Sequence, residues 1–371
     1  AIRDVMAPGT DQFLQTFAQG GAAPGPGQAT RLLRHADALR ALADSGGADL
    51  YTGRLADRIA AYSAATGGLL TAADLAAHTS TWVDPISTSY RGLEAWEIPP
   101  NGQGIAALVA LAILEVLDFD DPFHPDAIHL AIEATKIGLT DAHAFVADPE
   151  AGPTPDLLDP AYIADRRAAL GPRALTPDPG VPPGSDTVYL AAADGEGQMV
   201  SFIQSNFHGF GSRVVVDGVA LQNRGSGFSL DPRHPNVLAP SKRPFHTIIP
   251  GFLTRGGAPI GPLGVMGGHM QAQGHVQVTL AAAAGDDPAT ALGRPRWQWE
   301  EGRRVLVESP AGPPRWPGAS DDDGAAALVR DLTSRGHEVA VAPDSGVFGR
   351  GQLIWRAEGG VLVGASDPRA D

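Results

Sequence analysis

Two short stretches hold residue types that could do covalent chemistry. In GSDTVYLAAADGEGQMVSF, residues 184–202, a Pro- and Gly-rich run from Ala174 to Ser185 ends in Asp186-Thr187, and apolar strand-like sequence begins at once. Asp186 and Thr187 read as turn residues, whose short polar side chains bond their own backbone, or as a cut site that makes Thr187 a chain terminus. In GPLGVMGGHMQAQGHVQV, residues 261–278, Gly267-Gly268 stands between a short apolar strand and a helix. That pair could aim two backbone N–H groups into one space and hold an oxyanion, and a plain strand-to-helix turn would use the same residues. Other chemistry finds no motif: there is no phosphate-binding Gly-x-x-x-x-Gly-Lys loop, no dinucleotide fingerprint, no Gly-x-Ser-x-Gly elbow and no His-Glu-x-x-His. The close histidine pairs His124/His129 and His269/His275 lack metal-ligand spacing and read as surface or loop histidines. Lys242 and Arg243 form a small basic spot without further meaning on their own.

The elements that must position these residues come from a chain of 371 residues, 43% hydrophobic, enough for a substantial core. Net charge is −15 and the 27 basic residues are scattered, which argues against nucleic-acid or anionic-membrane partners. With no cysteine, disulfides, thiolate metal sites and a Cys nucleophile are excluded. No stretch approaches the roughly 20 apolar residues of a membrane span, and Ala1–Thr10 has no signal-peptide pattern. Apolar spacing predicts helices at 29–44, 50–65, 105–116 and 126–145, and Thr71 with Asp74 forms a capping-box pattern. Residues 147–160 and 171–185 are Pro-rich connections, the second long enough for an exposed, movable linker. Beyond it, strands are expected at 187–193, 199–203 and 214–216, helices at 274–284 and 324–335, and short strands in HEVAVAP, GQLIWRA and GVLVGAS. Helices followed by sheet with helices indicate an α+β or layered α/β domain.

Seven stretches in order give the chain a resemblance to the γ-glutamyltransferase family of N-terminal-nucleophile hydrolases, from about Ala29 to Arg369. They are LYTGRLADRIAAYSAATGGLLTAADLAAH, DPISTSYRGLEAWEIPPNGQGIAAL, DTVYLAAADGEGQMVSF, LQNRGSGFSLDP, SKRPFHTIIP, MGG at 266–268 and the closing VGASDPR. The resemblance implies an α+β fold of the αββα-sandwich type, with an N-terminal part of the family pattern, including the arginine that grips the substrate α-carboxylate, expected outside these residues. It implies a precursor that cuts itself between Asp186 and Thr187. A large-subunit portion, 1–186, and a small-subunit portion, 187–371, would then stay associated. Thr187 would be the nucleophile and its freed α-amino group, of pKa about 7.7–8.0, the base. Ser205 would bond the nucleophile, and Gly267 and Gly268 would hold the oxyanion. No cofactor or metal is required, and the substrate would be a small γ-glutamyl or related acyl amide.

The acyl site departs from the family. Arg224 and Gly227 stand where a Gln and an Asp usually hold the substrate amino group, Phe207 replaces an Asn, His246-Thr247 replaces Ser-Ser, and Val188 replaces a second Thr. A carboxylate is lost and a cation gained, so Arg224, His246 and Thr247 are candidates to bind an acyl group ending in a carboxylate, such as glutaryl. Arg224 also reads as a surface residue. Between His234-Pro235-Asn236 and Ser241–Pro244 there is no room for the usual lid, which favours hydrolysis over transfer. The alternatives are a cephalosporin- or glutaryl-type acylase, and a non-catalytic relative that serves as a binding protein.

Overall fold

The structure is a computed structural model that describes residues 11–18, 21–177, 186–309, 315–316 and 325–370. Two compact units emerge, Ala1–Trp82 with Asn206–Arg224, and Val83–Ser205 with Gly225–Asp371. The first holds helices α1 (Asp11–Phe17), α2 (Leu33–Ser45), α3 (Asp49–Thr52), α4 (Arg54–Ala65) and α5 (Ala72–Ala77), with a small ribbon of Val215–Val216 and Val219–Ala220. The expected capping box starts α5: Asp74 N–H donates to Thr71 Oγ1 at 3.2 Å, and Thr71 N–H to Asp74 Oδ2 at 2.8 Å.

The second unit is organised around a helix that is apolar on every side. Helix α6 (Gly104–Leu114), GIAALVALAIL, carries no charge and is buried nearly throughout, as such a helix must be. It packs on α7 (Pro125–Phe145), which Pro125 opens at its first position. Gly138 allows the close crossing, because a Cβ there would stand 2.3 Å from the Ala106 carbonyl. A short helix, α8 (Pro160–Ala168), follows. Beside these helices lies a six-stranded antiparallel sheet of β1 (Ile86–Tyr90), β2 (Leu93–Glu97), β5 (Gly251–Arg255), β6 (Ala258–Met266), β10 (Arg350–Arg356) and β11 (Leu362–Ser366), in that order. A pair of strands, β3 (Asp186–Ala193) and β4 (Met199–Phe207), forms a separate ribbon.

Alternation along β6 shows what covers each face. A Cβ on Gly264 would strike the Tyr189 ring of β3, whereas the next residue, Val265, fills the space a Cβ on Gly274 would need. Gly274 belongs to α9 (Met270–Ala283), so helices cover one face of the sheet and β3 lies on the other. The fold is mixed α+β, as the sequence predicts. A helix α10 (Pro288–Gly293) leads to a smaller sheet, ordered β9 (Glu338–Val341), β8 (Arg304–Val307) and β7 (Trp297–Glu301), beside α11 (Ala326–Ser334). The closing Ser-Asp-Pro-Arg is an internal fastener: Asp367 Oδ2 takes the buried Arg296 at 2.7 Å, and Arg369 pairs with Asp367 and Glu308.

Several expectations change. Strands β1, β2, β7 and β8 stand where sequence patterning gives none: they are short hairpins, β1–β2 and β7–β8, joined to their sheets by partners farther along the chain, β2 by β5 and β8 by β9. The predicted helix at 274–284 starts a turn earlier, at Met270. In the second Pro-rich connection, residues up to Pro177 are tied down: Leu175 N–H donates to Glu133 Oε2 at 2.8 Å and Ala174 N–H to the Arg335 carbonyl at 2.9 Å. Residues 178–185 lie outside the described residues. Among the described residues no helix is long and apolar enough to cross a membrane.

Candidate active site

Period-2 alternation on β3 turns Thr187 and Tyr189 inward and leaves Val188 and Leu190 exposed. Thr187 is 2% exposed, and its Oγ1 donates to Ser205 Oγ on β4 at 3.1 Å. One repeat further, Tyr189 Oη and Ser201 Oγ meet at 2.9 Å, and burial pushes the Tyr189 phenol above its ordinary pKa. Because the Tyr189 ring lies on Gly264, the strand that carries the threonine rests on the strand that ends at Met266, immediately before Gly267.

Gly267 and Gly268 have φ of +142° and +62°, backbone that L side chains rarely adopt. Their carbonyls accept from the first turn of α9, Gly267 from Met270 N–H and Gly268 from Gln271 N–H, each at 3.1 Å. In a trans peptide the N–H points opposite to the preceding carbonyl. The Gly268 N–H is therefore turned away from the helix, as an oxyanion donor would need to be. Two further pairs hold the end of β6. His275 Nε2 accepts the Val265 N–H at 3.2 Å, so the ring hydrogen lies on Nδ1 and is donated to Glu97 Oε1 at 2.5 Å.

The segment with His246 and Thr247 is held by the loop before α6. Asn101 Nδ2 donates to the Pro244 carbonyl at 2.7 Å, His246 N–H to the Asn101 carbonyl at 3.1 Å, and Gln103 N–H to the His246 carbonyl at 3.0 Å. The His246 ring takes up the space of a missing Cβ on Gly102, while Thr247 is fully buried. Gln103, which sequence reasoning passed over, bonds both the Thr247 and the Gly268 carbonyls through its side chain. Its place in PPNGQG gave no chemical signal, since a glutamine in a turn is ordinary.

Gly227 is confined: a Cβ would stand 2.7 Å from the Phe245 carbonyl. Asn236 pins the two segments, donating to the Gly227 carbonyl at 2.7 Å and accepting from Phe245 N–H at 3.0 Å. Arg224 belongs to the other unit, where its guanidinium lies 4.8 Å from the centre of the Phe207 ring. Burial lowers its pKa to about 10, so it stays cationic at neutral pH. Arg243 of the basic spot is paired, its Nη2 lying 2.8 Å from the buried Asp148 Oδ1.

The reading of His129 and His275 as surface or loop residues is corrected, because both are buried within α7 and α9; His269 does lie in a loop, the turn before α9, and is buried there. The helical partners that bury them lie far off in sequence. His269 packs against His143, whose imidazole is held down to a pKa of about 4 by burial first and by His234 second. His129, Glu133 and His337 form a buried group of metal-ligand type. The ligand atoms that face one another are already engaged: Lys136 Nζ sits 2.7 Å from Glu133 Oε1, and His129 Nδ1 meets His337 Nε2 at 2.9 Å. A divalent ion there would face an ammonium group, so the donor set fits an internal ion pair better than a metal.

An antiparallel sheet with helices on one face, and on the other a strand whose first inward side chain is a threonine, is the framework of an N-terminal-nucleophile hydrolase. The chain belongs to the gamma-glutamyltranspeptidase family, whose sequence profile matches residues 3–371. It is 37% identical, over 96% of its length and 67% of the relative's, to the glutathione hydrolase-like YwrD proenzyme of Bacillus subtilis. It is 34% identical to the oxamate amidohydrolase proenzyme of Klebsiella pneumoniae, over 97% of this chain and 68% of the relative. The crystal structure of a cephalosporin acylase from Bacillus halodurans matches with a TM-score of 0.91 at 47% identity, covering 99% of this chain and 67% of that one. The chain thus spans about two thirds of the length of these relatives, which are hydrolases by name.

Proposed function

We propose that this chain is the core of a self-processing amidohydrolase in which Thr187 first cuts the 186–187 peptide bond and then hydrolyses small acyl amides. The buried Thr187 hydroxyl on Ser205 at 3.1 Å carries the reading. In the first step Oγ1 attacks the Asp186 carbonyl, giving an ester and freeing the threonine α-amino group; water then releases the upstream chain as a carboxylate. In turnover the free amine takes the hydroxyl proton and Oγ1 attacks the substrate carbonyl. The N–H groups of Gly267 and Gly268 bind the oxyanion, each worth about 3 kcal/mol. The amine leaves with a proton, and water hydrolyses the acyl ester. Joint membership of one sheet supports lasting association of the two products, since β2 from upstream pairs with β5 from downstream at Glu94–Thr254, Ala95–Leu253 and Trp96–Phe252.

For the acyl group we favour one that ends in a carboxylate over γ-glutamyl. The cation of Arg224 and the lack of room for a side chain at 227, where the family's Asp would hold an ammonium, support this choice. A γ-glutamyl ammonium facing a guanidinium is disfavoured by about 1–3 kcal/mol. Intact mass and anilide hydrolysis test both parts in full-length protein. Wild type should divide at 186/187 and Thr187→Ala should stay whole and inactive. Glutaryl anilide should be hydrolysed with a kcat/KM at least equal to that of the γ-glutamyl compound, and Arg224→Gln should narrow the gap. Cutting of Thr187→Ala at the same bond would remove self-processing. A strong γ-glutamyl preference unchanged by Arg224→Gln would return the protein to glutathione-hydrolase chemistry, as in the Bacillus subtilis relative's name.

A further inference from the structure

Gln103 sits at the turn into α6 with no exposed surface. Its Nε2 donates to the Thr247 carbonyl at 2.7 Å and to the Gly268 carbonyl at 2.8 Å. Only the amide nitrogen has two hydrogens for two carbonyls, so the partners fix which way the amide is turned. The H–N–H fork holds the two acceptor oxygens about 5 Å apart. The segments joined in this way, 267–268 and 246–247, are 20 residues apart in sequence and have different tasks in the proposed reaction.

We infer that Gln103 is a positioning residue, which sets the glycine pair in register with the acyl-binding segment; the inference rests on the proposed Thr187 reaction. Glycines at φ +142° and +62° have wide conformational freedom, so their peptide planes are held by what their carbonyls bond. Helix α9 supplies one bond to each carbonyl, and Gln103 supplies the second bond to Gly268 from outside the helix. The backbone of Gln103 reinforces the same register through its N–H on the His246 carbonyl. Oxyanion donors are engaged fully only in the transition state, so loosening them lowers kcat more than it changes KM.

Gln103→Met keeps the length and removes both donors. In full-length protein, with the mature fraction counted by intact mass, kcat per mature chain should fall about 100-fold, the scale of a 1 Å misplacement, with KM within about threefold of wild type. A purely structural staple would lower the melting temperature and leave kcat per mature chain within threefold, which overturns the inference. Should Gln103→Met fail to fold or mature, Gln103→Glu decides. Its neutral carboxyl offers one donor and its carboxylate none, so its kcat relative to wild type at the same pH should rise as pH falls from 8 to 5. A flat ratio rejects the positioning role. Thr187→Ala separates this result from the parent reading: an active Thr187→Ala protein removes the nucleophile and the inference with it. An inactive Thr187→Ala beside a fully active Gln103→Met removes the inference alone.

Discussion

Replacing Ser205 by alanine should separate the two steps proposed for Thr187, because the base differs between them. Before the chain is cut, the Thr187 nitrogen is a peptide N–H with no basicity, and the hydroxyl proton is directed to Ser205 Oγ at 3.1 Å. After the cut, the same residue carries an amine of pKa about 7.7–8.0 that can take the proton itself. Removing the acceptor of a buried hydroxyl costs about 1–3 kcal/mol, which converts to a rate about 5- to 150-fold slower where that contact guides the proton. Maturation of Ser205→Ala should therefore slow by that factor. Its kcat per mature chain, with the amine in place, should fall by less than about tenfold, the effect of one lost neutral hydrogen bond. The assay is a time course of the 186/187 cut by intact mass, followed by anilide hydrolysis on the mature fraction. A kcat that falls further than the maturation rate would refute the argument, since Ser205 would then matter more after the amine is free than before.

Gly268→Ala forces a side chain to φ +62° and should destabilise the turn by about 1–2 kcal/mol in urea unfolding, with a larger loss in kcat than in KM. Gly227→Asp should fail to restore γ-glutamyl preference and should lower unfolding free energy by about 1–3 kcal/mol, because its Cβ meets the Phe245 carbonyl. His337→Gln tests the buried histidines. Burial holds the His337 imidazole at a pKa of about 3, below the ordinary value of about 6.5, so between these values the unfolded chain binds the extra proton. That stability is present above pH 6.5 and is lost as pH falls toward 3, at up to about 1.4 kcal/mol per pH unit. Gln retains a donor for His129 Nδ1 but cannot titrate, so the slope of stability against pH between 4 and 6 should flatten by about that amount. An unchanged slope would show that His337 is protonated in the folded protein.

The parts of this fold that were legible in sequence are those settled within a few residues. Thr71 and Asp74 are three apart and form the capping box that their types predict. The apolar run at 105–116 and the periodic run at 126–145 became α6 and α7 within a few residues of the expected ends. Strands β1 and β2 were not legible, although both are present in a stretch that carries the family resemblance. Five residues such as ISTSY or LEAWE gain little from local preference: among the described residues ISTSY pairs only with LEAWE, and LEAWE is held in the sheet by β5, more than 150 residues on. Likewise WQWEE alternates burial because α7 and α9, distant in sequence, pack against it.

The candidate site divides along the same line. A threonine at the start of a strand and a glycine pair at the end of another are backbone features, and a one-dimensional string records them directly. Gln103 with its two carbonyls, Glu97 with His275, and His129 with His337 are side-chain pairs whose members lie 144 to 208 residues apart. No spacing rule reaches that far. The buried histidines show why residue type alone misleads: the trio of His129, Glu133 and His337 has the composition of a metal site, and the ammonium of Lys136 against Glu133 turns it into an internal ion pair beside two neutral rings. Lys136 stands one helical turn from Glu133, so the deciding residue was visible beside the ligand-like one. Sequence could not show that both side chains turn inward, which depends on α7 being buried along most of its length.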